Sequence, residues 1–273
     1  MAVQMSTQLM KVVGVLRYEP IAKRIRGLVG GAVVVDSTGA LLVWEPRRVV
    51  PSYAVPGGDV LGELVPAPAT DVSGRPIRLA PGWPSMYDPS TAFALHTAEG
   101  EALTLRSGDG ERKGAAFRPA DPDLSRYVVL DFDAFDTWLE EDEEVVAHPR
   151  DPFHRVDVRR SSRYVRIQRD GQLLAESKRP NLVFETALPV RSYLRPEDVR
   201  LDLLKPSPTR TACPYKGQAS YLSFPPEAPD IAWMYERPLP DAVQLTGLVA
   251  FFDEHVDVTV DGEARLRPVS PWS

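Results

Sequence analysis

Hydrophobic and polar positions alternate with a period of two along much of the chain, which marks strands with one buried face. Val256, Val258 and Val260 alternate with His255, Asp257 and Thr259, and Asp261-Gly262 then turns the chain. The segments 164–169 and 172–175 flank Asp170-Gly171, a two-residue pair that closes β-hairpins because both positions tolerate positive φ. Short apolar runs at 182–184, 231–235 and 248–252 read as buried strands. Helical periodicity is scarce. Its best stretch is 133–145, where Phe135, Trp138 and Leu139 share a face and the remainder is acidic. With 27 prolines in 273 residues, many short strands and turns are favoured over long helices. The fold class expected is mainly β, with little helix.

The chain also resembles itself. A displacement of 140 lays 24–56 on 164–196 without a gap, and ten of those 33 positions are identical: Arg26/Arg166, Gly31/Gly171, Ser37/Ser177, Leu42/Leu182, Val43/Val183, Glu45/Glu185, Val50/Val190, Ser52/Ser192, Tyr53/Tyr193 and Pro56/Pro196. A one-residue gap then brings Asp59-Val60 onto Asp198-Val199. Residues from His96 fall on those from Cys213 at an offset of 117, and residues from Tyr127 on those from Gly247 at an offset of 120. Three blocks in one order imply a tandem duplication. The first domain covers 1–147 and the second 153–273, joined at a proline-punctuated linker, 148–152. The fall in offset from 140 to 117 assigns the first copy an inserted loop at about 61–89, rich in Pro and Gly.

Composition narrows the function classes. Hydrophobic residues are 43%, charged residues 26% and net charge −6, a globular balance without the basic excess of a nucleic-acid binder, so no nucleic-acid partner is expected. The single cysteine, Cys213, excludes an internal disulfide and any zinc site built on paired thiolates. The longest run of apolar residues and glycine, 27–35, is nine residues, where a membrane span needs about 20. The first positive charge is Lys11, so no signal-peptide pattern is visible. A cytoplasmic protein with no membrane partner is expected, and self-association into a homo-oligomer stays open.

The most distinctive string is Cys213-Pro214-Tyr215-Lys216-Gly217. It offers a thiol, a phenol and an ammonium beside a glycine that lets backbone approach closely. In extended backbone Cys213 and Tyr215 share a face and Lys216 takes the other, so all three line one pocket only if the segment bends. The alternative is a turn with Cys213 and Tyr215 packed and Lys216 in solvent. No GxxxxGK[ST] occurs, so a phosphate cradle is unsupported. Glu176, Glu185 and Tyr193 form a second set, matched by Asp36, Glu45 and Tyr53. A carboxylate beside an apolar strand needs a partner: an arginine such as Arg166 or Arg195, or Lys216 across a pocket. Trp233 and Tyr235 alternate on one face of a candidate strand, as core or as an aromatic wall for a flat or cationic ligand.

In the first copy the offset puts His96-Thr97-Ala98-Glu99-Gly100 in place of the CPYKG string, with no aromatic pair to match Trp233 and Tyr235. That copy is a structural partner, or takes a different ligand. Asp131-Phe132-Asp133 offers two carboxylates of the kind a nucleotidyl transferase needs for Mg²⁺, but the second copy reads Phe251-Phe252-Asp253, so a turn cap is the reading preferred. His255 has no assigned place near Cys213, and His148 and His154 read as linker residues around Asp151. Glu140–Glu144 and the six arginines of 155–169 read as solvated faces. No metal and no cofactor is expected.

The CPYKG string, Ala175-Glu176-Ser177, Glu185, Tyr193, Pro196-Glu197-Asp198-Val199, Ala232-Trp233-Met234-Tyr235 and Val260-Asp261-Gly262-Glu263 together resemble a bacterial family, domain of unknown function 427, over nearly all of 156–263. The likeness is to its duplicated actinobacterial form. The resemblance implies a β-tent: two antiparallel sheets meeting at an angle over a ligand-sized pocket. The family also carries a nucleotidyltransferase-like label. On this basis the candidate ligand-binding residues are Glu176, Ser177, Glu185, Tyr193, Cys213, Tyr215, Lys216, Trp233 and Tyr235. The partner expected is a small molecule, cyclic or nucleoside-like. The alternatives are a nucleotidyl or acyl transferase using the same pocket, with Lys216 stabilising charge, and a structural or partner-binding protein.

Overall fold

In the computed structural model, which describes residues 2–68, 70, 72–78, 83–108, 110–226 and 228–270, local turn chemistry sets the hairpins. Asp170 and Gly171 have φ of 48° and 78° and join Val165–Arg169 to Gln172–Ser177. Asp261 and Gly262, at 55° and 85°, join Asp257–Val260 to Glu263–Ala264. Both are the doubly positive turns whose twist matches paired strands. A seven-residue helix, Met5–Lys11, precedes the sheets. No helix among the described residues is long and apolar enough to cross a membrane.

The chain divides into two units, Met1–Ile77 with Trp83–Asp151, and Arg78–Gly82 with Pro152–Ser273. The first holds a seven-stranded antiparallel sheet in the order β1 (Arg17–Pro20), β4 (Leu41–Trp44), β5 (Ser52–Pro56), β11 (Tyr127–Leu130), β10 (Gly110–Pro119), β9 (Gly100–Ser107) and β6 (Glu63–Pro66). Its smaller sheet runs β13 (Glu143–Val145), β12 (Thr137–Glu140), β2 (Ile25–Val29), β3 (Ala32–Ser37). β7 (Ile77–Arg78) and β8 (Ser85–Met86) make a short ladder of their own. In the second unit the large sheet is β14 (Val156–Arg160), β17 (Asn181–Glu185), β18 (Arg191–Leu194), β22 (Val249–Phe251), β21 (Ala228–Met234), β20 (Gly217–Phe224) and β19 (Lys205–Cys213). The small one is β16 (Gln172–Ser177), β15 (Val165–Arg169), β23 (Asp257–Val260), β24 (Glu263–Ala264). Strand for strand, the two orders correspond. The fold is mainly β and antiparallel, as the alternation predicts.

Each unit buries one face of its large sheet against its small sheet. Ile25, Leu42, Val55, Leu130 and Trp138 belong to that core in the first unit, and Ile167, Leu194, Val249, Phe251 and Val258 in the second. The opposite, outer face of each large sheet carries its own apolar cluster: Leu41, Val43, Ala54, Phe117 and Val129 in one, and Val183, Tyr193, Trp233, Tyr235 and Phe252 in the other.

Strand register corrects three readings of the sequence. Leu42 pairs with Tyr53, but Leu182 pairs with Ser192 and Asn181 with Tyr193. The one-residue gap therefore falls before β5 and β18, and Tyr193 occupies the place of Ala54. A slip of one residue moves a side chain to the other face: Tyr53 lies in the core between the sheets and Tyr193 on the outer face. Carried along the sheet, Phe117 pairs with Val129 and Trp233 with Ala250, so Phe117 stands for Trp233. Ala102 then stands for Tyr221, and counting back brings Thr97, not Glu99, to the place of Lys216. The extra segment also moves. Glu63–Pro66 is an edge strand, so the excursion begins after Pro66; of the loop at 61–89, residues 69, 71 and 79–82 lie outside those described.

The helix expected at 133–145 is a hairpin, preceded by a 3₁₀ turn at Phe132–Ala134. Glu141, with φ of 52°, turns the chain, and its acidic neighbours answer local cations: Lys23 bonds Glu140, and Arg26 bonds Asp142 at 2.6 Å. Five consecutive acids, whose members three and four apart would repel in a helix, are accommodated at a turn with basic residues around it.

Candidate functional site

The CPYKG string bends. Cys213 pairs with Gly217 at the head of the β19–β20 hairpin, leaving Pro214, Tyr215 and Lys216 as the turn. Gly217 has φ of 93°, and a Cβ there would stand 3.3 Å from the Arg237 carbonyl oxygen and the Leu239 nitrogen, so this position requires glycine. The Leu239 N–H donates to the Lys216 carbonyl at 3.1 Å. The bend turns Lys216 inward, where it is 8% exposed.

Its ammonium meets the carboxylate of Glu185, at the end of β17, and the pair is nearly closed from solvent. The other Glu185 oxygen bonds His154 Nε2 at 3.1 Å. His154 in turn stacks on Tyr215, with ring centroids 4.5 Å apart. Trp233 Nε1–H donates to the Tyr193 hydroxyl at 2.9 Å, their rings edge to face at 6.0 Å. Phe252 and the Arg191 guanidinium lie 4.5 and 5.8 Å from the Trp233 ring. Burial works against the Glu185 charge, yet Lys216 and His154 together hold its carboxyl well below the usual carboxylate range. Burial likewise opposes the Lys216 charge, and Glu185, Cys213 and Tyr193 raise it above an ordinary lysine. Tyr193 is pushed up to about 12, Tyr235 further, and the Cys213 thiol also upward, all chiefly by burial. At neutral pH the site therefore holds an ammonium, a carboxylate and three protonated donors.

Of the nine predicted residues, Glu185, Tyr193, Cys213, Tyr215, Lys216, Trp233 and Tyr235 share this neighbourhood. Glu176 and Ser177 do not. They sit at the end of β16 in the small sheet, in an open cleft of about 400 Å³ with Tyr164, Lys178, Arg179 and Asp198. There Glu176 accepts from the Tyr164 hydroxyl, and Ser177 Oγ donates to Asp198 at 2.7 Å. Ser37 makes the same contact to Asp59 at 2.6 Å, so both units use this serine to hold a turn. Neither Arg166 nor Arg195 pairs with Glu185: its partners are Lys216 and His154.

His154 is the residue that sequence reasoning placed elsewhere. It lies 31 positions from Glu185, within a proline-rich stretch, and no local spacing ties the two together. His255 sits against the Phe252 ring. Asp131 accepts from the Asp133 N–H at 3.2 Å and caps a 3₁₀ turn, as its sequence setting suggests. Among the described residues, no three of His, Cys, Asp and Glu stand together as a metal site would need.

The first unit treats its equivalent carboxylate differently. Glu45 accepts from the backbone N–H groups of Thr97 and Ala98, at 2.7 and 3.0 Å, and meets His96 Nδ1 at 3.0 Å. His96 stacks on Phe117 at 3.9 Å. The loop leading into this turn is pinned by Arg48, which donates to the carbonyls of Thr91, Ala92 and Leu95.

Paired antiparallel sheets in two units, one carrying a buried lysine–glutamate–histidine network, define a two-unit β protein with one distinctive polar centre. Residues 157–262 match the model of a family described as a domain of unknown function, DUF427, under the label NTP_transf_9. The resemblance read from 156–263 is to this family. No curated protein matches the chain.

Proposed function

We propose that this is a small-molecule-binding protein of the cytoplasm, with its site at the Lys216–Glu185–His154 network of the second unit. The two units are read as diverged copies of one domain, 1–147 and 153–273, the first serving as scaffold. The strand orders and the shared Ser37 and Ser177 contacts support the duplication. A lone cysteine suits a reducing compartment.

One contrast carries the functional reading. Glu45 is satisfied largely by main chain, Glu185 by two titratable side chains. A buried ion pair is a poor way to gain stability, because well-packed apolar residues of similar volume do as well or better. Strongly perturbed groups gathered beside aromatic side chains are more typical of sites than of scaffolding. Seven of the nine candidates converge on this centre.

The test is native mass spectrometry on the full chain purified gently from its own host, with Lys216→Met/Glu185→Leu alongside. The expected result is an excess mass on the wild type that vanishes on denaturation and is missing from the variant. Equal masses on both proteins, with the variant folded by circular dichroism, would place the ligand elsewhere. A bare wild type that no metabolite stabilises in a thermal-shift screen would favour a structural role for the network.

A further inference from the structure

The hydrogen-bonding groups at this centre are unevenly divided. An ammonium carries three N–H donors and no acceptor, and Lys216 gives one of them to Glu185. The Tyr193 oxygen accepts from Trp233, and its own hydrogen has no acceptor among the described residues. The Tyr235 hydroxyl has no hydrogen bond among the described residues, and the Cys213 sulfur accepts from the backbone N–H groups of Tyr215 and Lys216, which leaves its own hydrogen to give. Tyr193, Cys213 and Lys216 interact electrostatically with one another, and Tyr235 with Tyr193 and Cys213. Burial keeps all three neutral groups protonated at neutral pH. Against these donors stands one charged acceptor, Glu185, whose two oxygens are already taken by Lys216 and His154.

We infer that the ligand of this site is a compact oxyanion, a carboxylate or phosphate, received by Lys216 and the Tyr193 hydroxyl. The inference rests on the binding role proposed above and adds the chemical class. A buried donor left unmatched is costly, so the complement of a donor-rich site is a group rich in acceptors. Glu185 then acts as an internal stand-in: it holds Lys216 in the empty site, and His154 is placed to keep hold of Glu185 when the ligand oxygen takes over the ammonium. A cationic ligand would be repelled by the ammonium, and the one carboxylate at this centre already has a cation or a histidine on each oxygen. That removes the cation-binding option the aromatic residues alone would allow.

The experiment compares benzoate, inorganic phosphate, benzamide and benzylamine by isothermal titration on the full chain. Wild type, Tyr193→Phe and Lys216→Met/Glu185→Leu are the three proteins. Benzoate or phosphate should bind at least about ten-fold tighter than benzamide, with benzylamine weakest. Tyr193→Phe, which keeps the ring and removes only the donor, should weaken the anion about ten-fold while leaving benzamide within about three-fold. The double variant should lose the anion altogether. Preference for benzamide or benzylamine, or an anion affinity indifferent to both variants, would overturn the oxyanion assignment and leave the binding site standing. Failure of every probe, together with the absence of a co-purifying mass, would remove the site itself.

Discussion

Cutting the buried pair from either side should reveal what it contributes. Lys216 and Glu185 have side chains 11% and 9% exposed, so deleting one leaves the other charged in a poorly solvated place. Such a deletion costs about 3–5 kcal/mol, whereas replacing both partners by apolar residues of similar volume is neutral or gains about 1–4 kcal/mol. His154 breaks the symmetry. In Lys216→Met the Glu185 carboxylate keeps a partner at 3.1 Å; in Glu185→Leu the ammonium keeps none. The order of stability expected is Lys216→Met/Glu185→Leu at or above wild type, then Lys216→Met near the lower end of that cost, then Glu185→Leu near the upper. The coupling in the double-mutant cycle exceeds about 5 kcal/mol. Urea unfolding should be read by hydrogen-exchange mass spectrometry on peptides from β17, β20 and β22, because two units need not unfold as one transition. Glu185 has its folded pKa lowered, so its contribution is present above the ordinary carboxylate value of 4.5 and fades as pH falls below it. Lys216 has its folded pKa raised, so its contribution is present below 10.5 and fades above it. The gap between wild type and Lys216→Met should narrow as pH falls, because the stranded Glu185 carboxyl takes up a proton, and the gap to Glu185→Leu should narrow as pH rises, because the stranded Lys216 ammonium loses one. Single variants costing under about 1 kcal/mol would show the pair to be solvated, and a double variant as poor as the sum of the singles would show the loss to be packing, not charge.

Two other perturbations follow from the same geometry. Burial pushes Asp253 up to about 6 against an ordinary 3.8, with Arg191 opposing from 3.8 Å. Between those values the unfolded chain binds fewer protons, so stability falls as pH rises through that window, by at most about 3 kcal/mol. Asp253→Asn should abolish that slope in melting curves taken from pH 4 to 8 and be the more stable protein at pH 8; an unchanged slope would assign it to another group. In the first unit, Arg48→Met removes the donors that hold the carbonyls of Thr91, Ala92 and Leu95. Thermolysin should then cut at 91–96 at least about ten-fold faster while strands β4 and β5 keep their exchange protection, and an unchanged cleavage rate would mean the loop is held by its other contacts.

What the chain discloses before folding is what depends on neighbours. Asp170-Gly171 and Asp261-Gly262 declare their hairpins because positive φ at two successive residues is a local demand. Register is not local. Tyr53 and Tyr193 are identical at an offset of 140, yet they face opposite sides of their sheets, because a one-residue difference upstream of β5 and β18 inverts the side chains of that strand. A separate error of two residues, an offset of 117 where the register gives 119, misassigned Glu99 as the counterpart of Lys216. Phe135, Trp138 and Leu139 imitate a helical face over a stretch too short to tell a period of 3.6 from a strand and its approach. His154 was illegible for a different reason: its partner is brought to it by the pairing of β14 with β17, and a histidine before a strand advertises no partner.

The two units differ most where their sheets agree. Both place a glutamate at the end of the second strand of the large sheet, and both bring the connection into the next-to-last strand against it. In the first unit the long excursion after Pro66 enters that turn so that two backbone N–H groups bond Glu45. In the second the direct β19–β20 connection, tightened at Gly217, presents the Lys216 side chain instead. Main-chain donors are fixed by the backbone that carries them, so Glu45 cannot exchange partners without moving the loop at Thr97 and Ala98. Side-chain donors rotate, so Glu185 can pass Lys216 to a ligand while its strand stays paired. A centre able to change partners without unfolding is what a binding site requires and a scaffold does not, which is why the second unit, and not the first, carries the functional assignment.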